Sequence, residues 1–91
     1  MTTVTKTWRL EIQLFEEDDV TKARTVLDTG EGAPILEGTG RARRRPGDQP
    51  MPQVGDELAA ARALLDVAHE LLEAAARQIE GVEHRPVHLE A

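Results

Sequence analysis

At 91 residues, with 40% hydrophobic and 31% charged, the chain suits one small domain and leaves no room for a second core. Its net charge of −6 weighs against indiscriminate polyanion binding, and the absence of cysteine excludes disulfides, thiol catalysis and cysteine-ligated metal centres. Trp8 and Phe15 are the only aromatic residues, so the core is light and self-association is the expected remedy. No apolar run approaches a membrane span, and Thr2 to Leu10 lacks the apolar centre of a signal peptide, which points to a cytoplasmic protein.

The first predicted strand covers about residues 6–16. Trp8, Leu10, Ile12 and Leu14 alternate with Arg9, Glu11 and Gln13, the pattern of a half-buried strand. The acidic run Glu16 to Asp19 makes a solvated turn. A second strand follows at about 20–28, with Ala23, Thr25 and Leu27 opposing Lys22 and Arg24, so the two form a hairpin. Asp28 to Gly32 is a second turn. The third strand, about 34–44, carries Leu36, Gly38, Gly40 and Ala42 on one face. Glycine weakens a strand, so this bare row is best explained by something bulky lying close against it, and a long helix is the obvious candidate.

Residues 45–54 hold Pro46, Pro50, Pro52 and Gly47 and form a crossover loop. A helix is predicted over about 55–80. Its apolar stripe runs Leu58, Ala61, Leu65, Ala68, Leu72, Ala75 and Ile79, widened by Leu64, Val67 and Leu71. Asp56 or Glu57 suits the positive end of the helix dipole, and Gly81 is the expected stop. At roughly 1.5 Å per residue the helix outruns a nine-residue strand at about 3.3 Å per residue only modestly, so one end overhangs the sheet. The tail, 81–91, alternates at Val87 and Leu89 as a short strand or an ordered arm. The expected fold is a single α+β domain over 1–91, with two layers: a three-stranded antiparallel sheet covered by one long C-terminal helix.

Signals of catalysis are sparse. His69 to Glu73 begins like the zinc-protease helix motif but has Glu where the second His belongs, and a lone His69/Glu73 pair reads as a solvated helix face. His84 and His88 read as tail residues. Gly30, Gly32, Gly38 and Gly40 are not followed by the Lys-Ser/Thr of a phosphate loop. The chain has no serine or tyrosine, and the acidic run is a wet loop rather than a tuned acid/base pair. Neither an enzyme nor a metal or other cofactor is expected.

One electropositive feature stands out: Arg41, Arg43, Arg44 and Arg45 crowd the end of the third strand, with Lys22 and Arg24 on its neighbour. The plain reading is a solvated strand end that discourages edge-to-edge aggregation. The functional reading is a patch for a small anion or an RNA backbone.

At Trp8-x-Leu-x-Ile12, at Gly38-Thr-Gly-Arg-Ala-Arg43 and at the run Pro52-Gln-Val-Gly-Asp-Glu-Leu-Ala-Ala-Ala-Arg-Ala-Leu64, the chain resembles a family of small actinobacterial proteins of unknown function. These are of the double-stranded-RNA-binding-domain-like (dsRBD-like) type, and some are linked to dormancy and stress. The resemblance covers nearly the whole chain. It implies a βββα fold and a homodimer whose shape has been compared with ribosome hibernation factors. It also implies that Trp8, Leu10, Ile12, Gly38, Gly40, Leu58 and Leu65 build the sheet–helix interface, with Asp56 helping to cap the helix. Two functions are carried forward: a stress-associated homodimer that binds ribosomes or structured RNA through its arginines, and a protein-interaction module that works through a sheet edge or the long helix without nucleic acid.

Overall fold

The computed structural model describes every residue except 1, 31, 46, 48 and 50. Glu31 of the expected second turn, and Pro46 and Pro50 of the expected loop, therefore lie outside the described residues. The elements in chain order are β1 (Arg9–Glu17), β2 (Val20–Asp28), β3 (Leu36–Arg43) and α1 (Pro52–Glu83). The strands form one antiparallel sheet in the order β1-β2-β3, and the helix covers it as a second layer.

Local chemistry accounts for each junction. Glu17 pairs with Val20, leaving Asp18 and Asp19 as the hairpin tip, and Asp18 takes the left-handed conformation (φ 55°) that aspartate tolerates better than most residues. Pro52 opens α1, where its missing N–H costs nothing and its ring presets φ. The first turn is closed by Val54 and Gly55 N–H groups donating to the Met51 carbonyl. At the other end, His84 adopts the left-handed conformation (φ 59°) and its N–H donates to the Glu80 carbonyl at 2.7 Å. Pro86 then disfavours helix at the residue before it. The tail turns back, with Val87 N–H on the Glu80 carboxylate at 3.0 Å.

Two expectations about the helix ends are corrected by this geometry. Asp56 does not cap the helix, because α1 starts earlier, at Pro52, and Met51 at the cap position makes no side-chain hydrogen bond. Gly81 does not stop it either. The helix passes through Gly81 and ends at Glu83, with His84 taking the left-handed position that glycine usually fills.

The helix lies over β3 and β2 and scarcely touches β1. Gly38 and Gly40 are the reason. A Cβ at Gly38 would sit 2.5 Å from the Ala63 carbonyl oxygen, and one at Gly40 would strike the Ala59 carbonyl and the Ala63 nitrogen. The helix backbone rests directly on the two glycines, so only small residues fit between the layers. Ala59 and Ala63 meet Ala23 and Ala42 there, flanked by Thr25, Leu27 and Val67.

This close approach overturns the expected interface. Over the sheet the helix turns Ala59, Ala63 and Val67 inward, about 100–180° round from Leu58, and of these only Val67 belonged to the widened stripe; Ala76, five turns on from Leu58, is also buried. Leu58 and Leu65 lie on the flanks, at 44% and 59% exposure. On the sheet side, Trp8, Leu10 and Ile12 do not build the interface: they remain 52%, 47% and 37% exposed, because the helix is drawn toward the glycines of β3 and away from β1. Gly38 and Gly40 do sit in the interface.

The two sheet edges differ. On β3, the Arg62 guanidinium donates to the Arg41 carbonyl and the Asp66 carboxylate accepts from the Thr39 N–H, both at 2.8 Å. On β1, no such side chain engages the outer backbone among the described residues, and Leu10, Ile12 and Leu14 beside that edge are incompletely covered.

Candidate nucleic-acid interface

With the helix on one face, the other face of the sheet stays bare. On β2, Thr21, Ala23, Thr25 and Leu27 are buried toward α1, so Lys22, Arg24, Val26 and Asp28 point the opposite way. Residues directly paired across antiparallel strands share a face, and the register extends this one: Phe15 beside Lys22 beside Arg41, then Gln13 beside Arg24 beside Thr39, with Arg43 beside Val20. Four of the six expected cations, Lys22, Arg24, Arg41 and Arg43, thus come together on one surface. Arg44 and Arg45 follow the end of β3. The Arg44 N–H donates to the Asp19 carbonyl at 2.8 Å, which ties the strand end to the hairpin tip.

Acids trim the patch. Arg24 is paired with Glu37 at 2.6 Å, and Lys22 with Glu17 at 3.7 Å. Both pairs are half exposed, so they hold the cations in place without quenching them; exposed pairs contribute only about 0–1 kcal/mol and yield readily to a competing anion. Arg41 and Arg43 have no ion pair among the described residues. The centre of the face is an open depression of about 390 Å³ lined by Phe15, Lys22, Arg24, Thr39 and Arg41, with the backbone of Ala23 and Gly40 as its floor.

Phe15 was not among the expected site residues. The signal was present: after Arg9, Glu11 and Gln13, position 15 continues the polar face of β1, yet it carries an aromatic ring.

A second hollow of about 480 Å³ lies at the end of the sheet, between the hairpin tip and the first turns of α1. Glu16, Asp18 and Asp19 face Arg43 and Arg44 across it, with Met51, Val54 and Leu58 on its apolar side. The acids make it a poor anion site. For metals, no three His, Cys, Asp or Glu side chains converge among the described residues; Glu73 pairs with Arg77, and His88 lies near Glu90. No helix among the described residues is long and apolar enough to cross a membrane.

The fold defines a small α+β sheet-and-helix protein of βββα order, with one face of the sheet turned away from the helix. The chain belongs to the Rv2632c-like family, whose profile matches residues 6–88. It is 40% identical to Rv2632c of Mycobacterium tuberculosis over 84 residues, 92% of this chain and 88% of that protein. It is 38% identical to the uncharacterised protein Mb1767 of Mycobacterium bovis over 82 residues, covering 90% and 85% of the two chains. The crystal structure of Rv2632c superposes with a TM-score of 0.82 at 37% identity, covering 94% of this chain and all of that one. The family is therefore an actinobacterial one, and the βββα fold is common to both structures.

Proposed function

We propose that this protein is a non-enzymatic, cytoplasmic RNA-binding homodimer that engages ribosomes or other structured RNA through the bare face of its sheet. The observation that carries this reading is the gathering of Lys22, Arg24, Arg41 and Arg43 on the one face that the helix leaves open. Lys22 and Arg24 are paired with Glu17 and Glu37 on this face, so Arg41 and Arg43 supply the charge that meets the phosphates against the long-range repulsion of a chain of net charge −6. The dsRBD-like resemblance, with its dormancy and hibernation associations, supplies the cellular setting: a factor that docks on ribosomal particles when growth stops.

Dimerisation is part of the reading. The inner layer is built largely from alanine, and among the described residues side chains of α1 engage the outer edge of β3 while none engages that of β1. A second copy on the β1 side would bury Leu10, Ile12 and Leu14. If the two β1 strands pair antiparallel, their two-fold axis stands perpendicular to the sheet, so both cationic faces point the same way.

The test is sedimentation of the tagged protein, at native level, from stationary or oxygen-starved cells, with and without RNase and at two salt concentrations. Four phosphate contacts give a slope of log K against log salt of roughly −3, or about a hundredfold loss between 50 and 200 mM. Salt- and RNase-sensitive co-migration with ribosomal particles supports the reading, and charge reversal at Arg41 and Arg43 should abolish it.

A second reading follows from the same open edge: a protein-interaction module that adds a partner's strand to β1 and binds no nucleic acid. It predicts partner binding that is RNase-resistant and only weakly salt-dependent.

A further inference from the structure

Phe15 is an apolar ring placed outside the sheet–helix core. It projects from the sheet face opposite the helix, is 53% exposed, and sits at the rim of the depression it shares with Lys22, Arg24, Thr39 and Arg41. Each inner-face neighbour on β1, from Leu10 to Leu14, lies on the side of the sheet that carries the helix. Phe15 lies on the polar side, where an apolar ring gains nothing from the core.

We infer that Phe15 is a base-stacking platform and that the RNA segment taken by this face is single-stranded. The inference rests on the RNA reading above and specifies which form of RNA the face selects. An exposed ring on an open sheet, with cations on the adjoining strands, offers a π-surface for an unpaired base and charge for the phosphates on either side. Adjacent strands lie about 4.8 Å apart, so Lys22 is one strand from the ring and Arg41 two, in one row across the sheet. Thr39 and Arg24 lie in the next row, within the same depression, as hydrogen-bond donors for base edges or sugar. A base locked in a duplex is already stacked and cannot reach the ring. The cations alone would not discriminate between the two forms, whereas the ring does.

The competing explanation is a cross-strand Phe15–Lys22 pair that merely stabilises the hairpin. The two accounts separate by experiment. Fluorescence anisotropy would be measured with a labelled 12-nucleotide oligouridine and with a 12-base-pair RNA duplex, for the native protein, for Phe15→Leu, which keeps the apolar bulk, and for Arg41→Glu. Native protein should prefer the single strand. Phe15→Leu should weaken oligouridine binding roughly 5- to 150-fold, the range for losing one base–aromatic stack, and leave duplex binding unchanged. Arg41→Glu should weaken both. Equal binding of the two RNAs, with no effect of Phe15→Leu while Arg41→Glu still acts, would overturn the stacking role and leave the backbone reading intact. No binding to either RNA would overturn both. Circular dichroism of Phe15→Leu checks that its helix and sheet content is native.

Discussion

The carboxylate of Asp66, in the middle of α1, accepts a hydrogen bond from the backbone N–H of Thr39, on the outer edge of β3, at 2.8 Å. One turn earlier on the helix, Arg62 donates to the carbonyl of Arg41 two residues further along the same edge. The pair at i and i+4 satisfies one donor and one acceptor of a strand edge that would otherwise face solvent, so the helix both covers the sheet and closes one side of it. Among the described residues no side chain does the same for the outer edge of β1.

Removing that clasp should show in stability and in association. Asp66→Ala is expected to lower unfolding stability by roughly 1–2 kcal/mol, the scale of a charge-assisted hydrogen bond in a partly wet setting. Urea denaturation measures this. The double variant Arg62→Ala/Asp66→Ala, which removes both contacts to the β3 edge, should also form larger species with increasing concentration; an unchanged midpoint for Asp66→Ala would show that its bond contributes nothing.

The glycine seat makes a sharper prediction. Gly40→Ala places a methyl group against the backbone of Ala59 and Ala63, which cannot move without lifting the helix. A loss of about 3 kcal/mol or more is expected, seen as a large fall in thermal midpoint. By contrast, Gly30→Ala, with open space around it, should lose only the smaller amount due to its left-handed backbone (φ 77°).

Thr25 is fully buried between the glycines of β3 and the β1 face, and its hydroxyl oxygen has no hydrogen-bond partner among the described residues. Replacing it with valine keeps the shape and the strand preference and removes the unpaired polar group. Thr25→Val is expected to stabilise the protein by about 1 kcal/mol in chemical denaturation. A destabilised variant would mean that the hydroxyl is hydrogen-bonded.

Association through β1 is tested at Leu10, which lies on the helix side of the sheet but, on a strand that the helix scarcely touches, stays 47% exposed. Light scattering of the native protein at micromolar concentration should give twice the 10.0 kDa chain mass, and Leu10→Lys should give the chain mass itself with unchanged circular dichroism. Native protein that is monomeric throughout this range would refute the dimer.

Much of the architecture was legible in the residues because each element carries its own local signal. The alternation at Ala23, Thr25 and Leu27 marks β2, and the long apolar period from Leu58 marks the helix, whereas Pro52, expected in the loop, turns out to open it. The bare row Leu36, Gly38, Gly40 and Ala42 even announced that the helix would lie close. The inward helix face differs from the one its largest apolar residues suggest. At a glycine seat the inward residues must be small, so alanine wins the core position and leucine moves to the flank. Of the candidate site, the cations of β2 and β3 could be named from the chain. Their shared surface with Phe15 could not, because it depends on strand register, which pairs residues 15, 22 and 41 across the sheet.

The chain by itself determined the element order, the antiparallel hairpins and the need for close sheet–helix contact, since these follow from periodicity, turn chemistry and the steric properties of glycine and proline. The tertiary structure alone decided where the helix settles across the sheet. That position is a balance between backbone contact at Gly38 and Gly40 and the leucines left outside it, and it explains why one edge is clasped, why β1 stays uncovered, and why a face carrying Phe15 and four cations is left open to solvent.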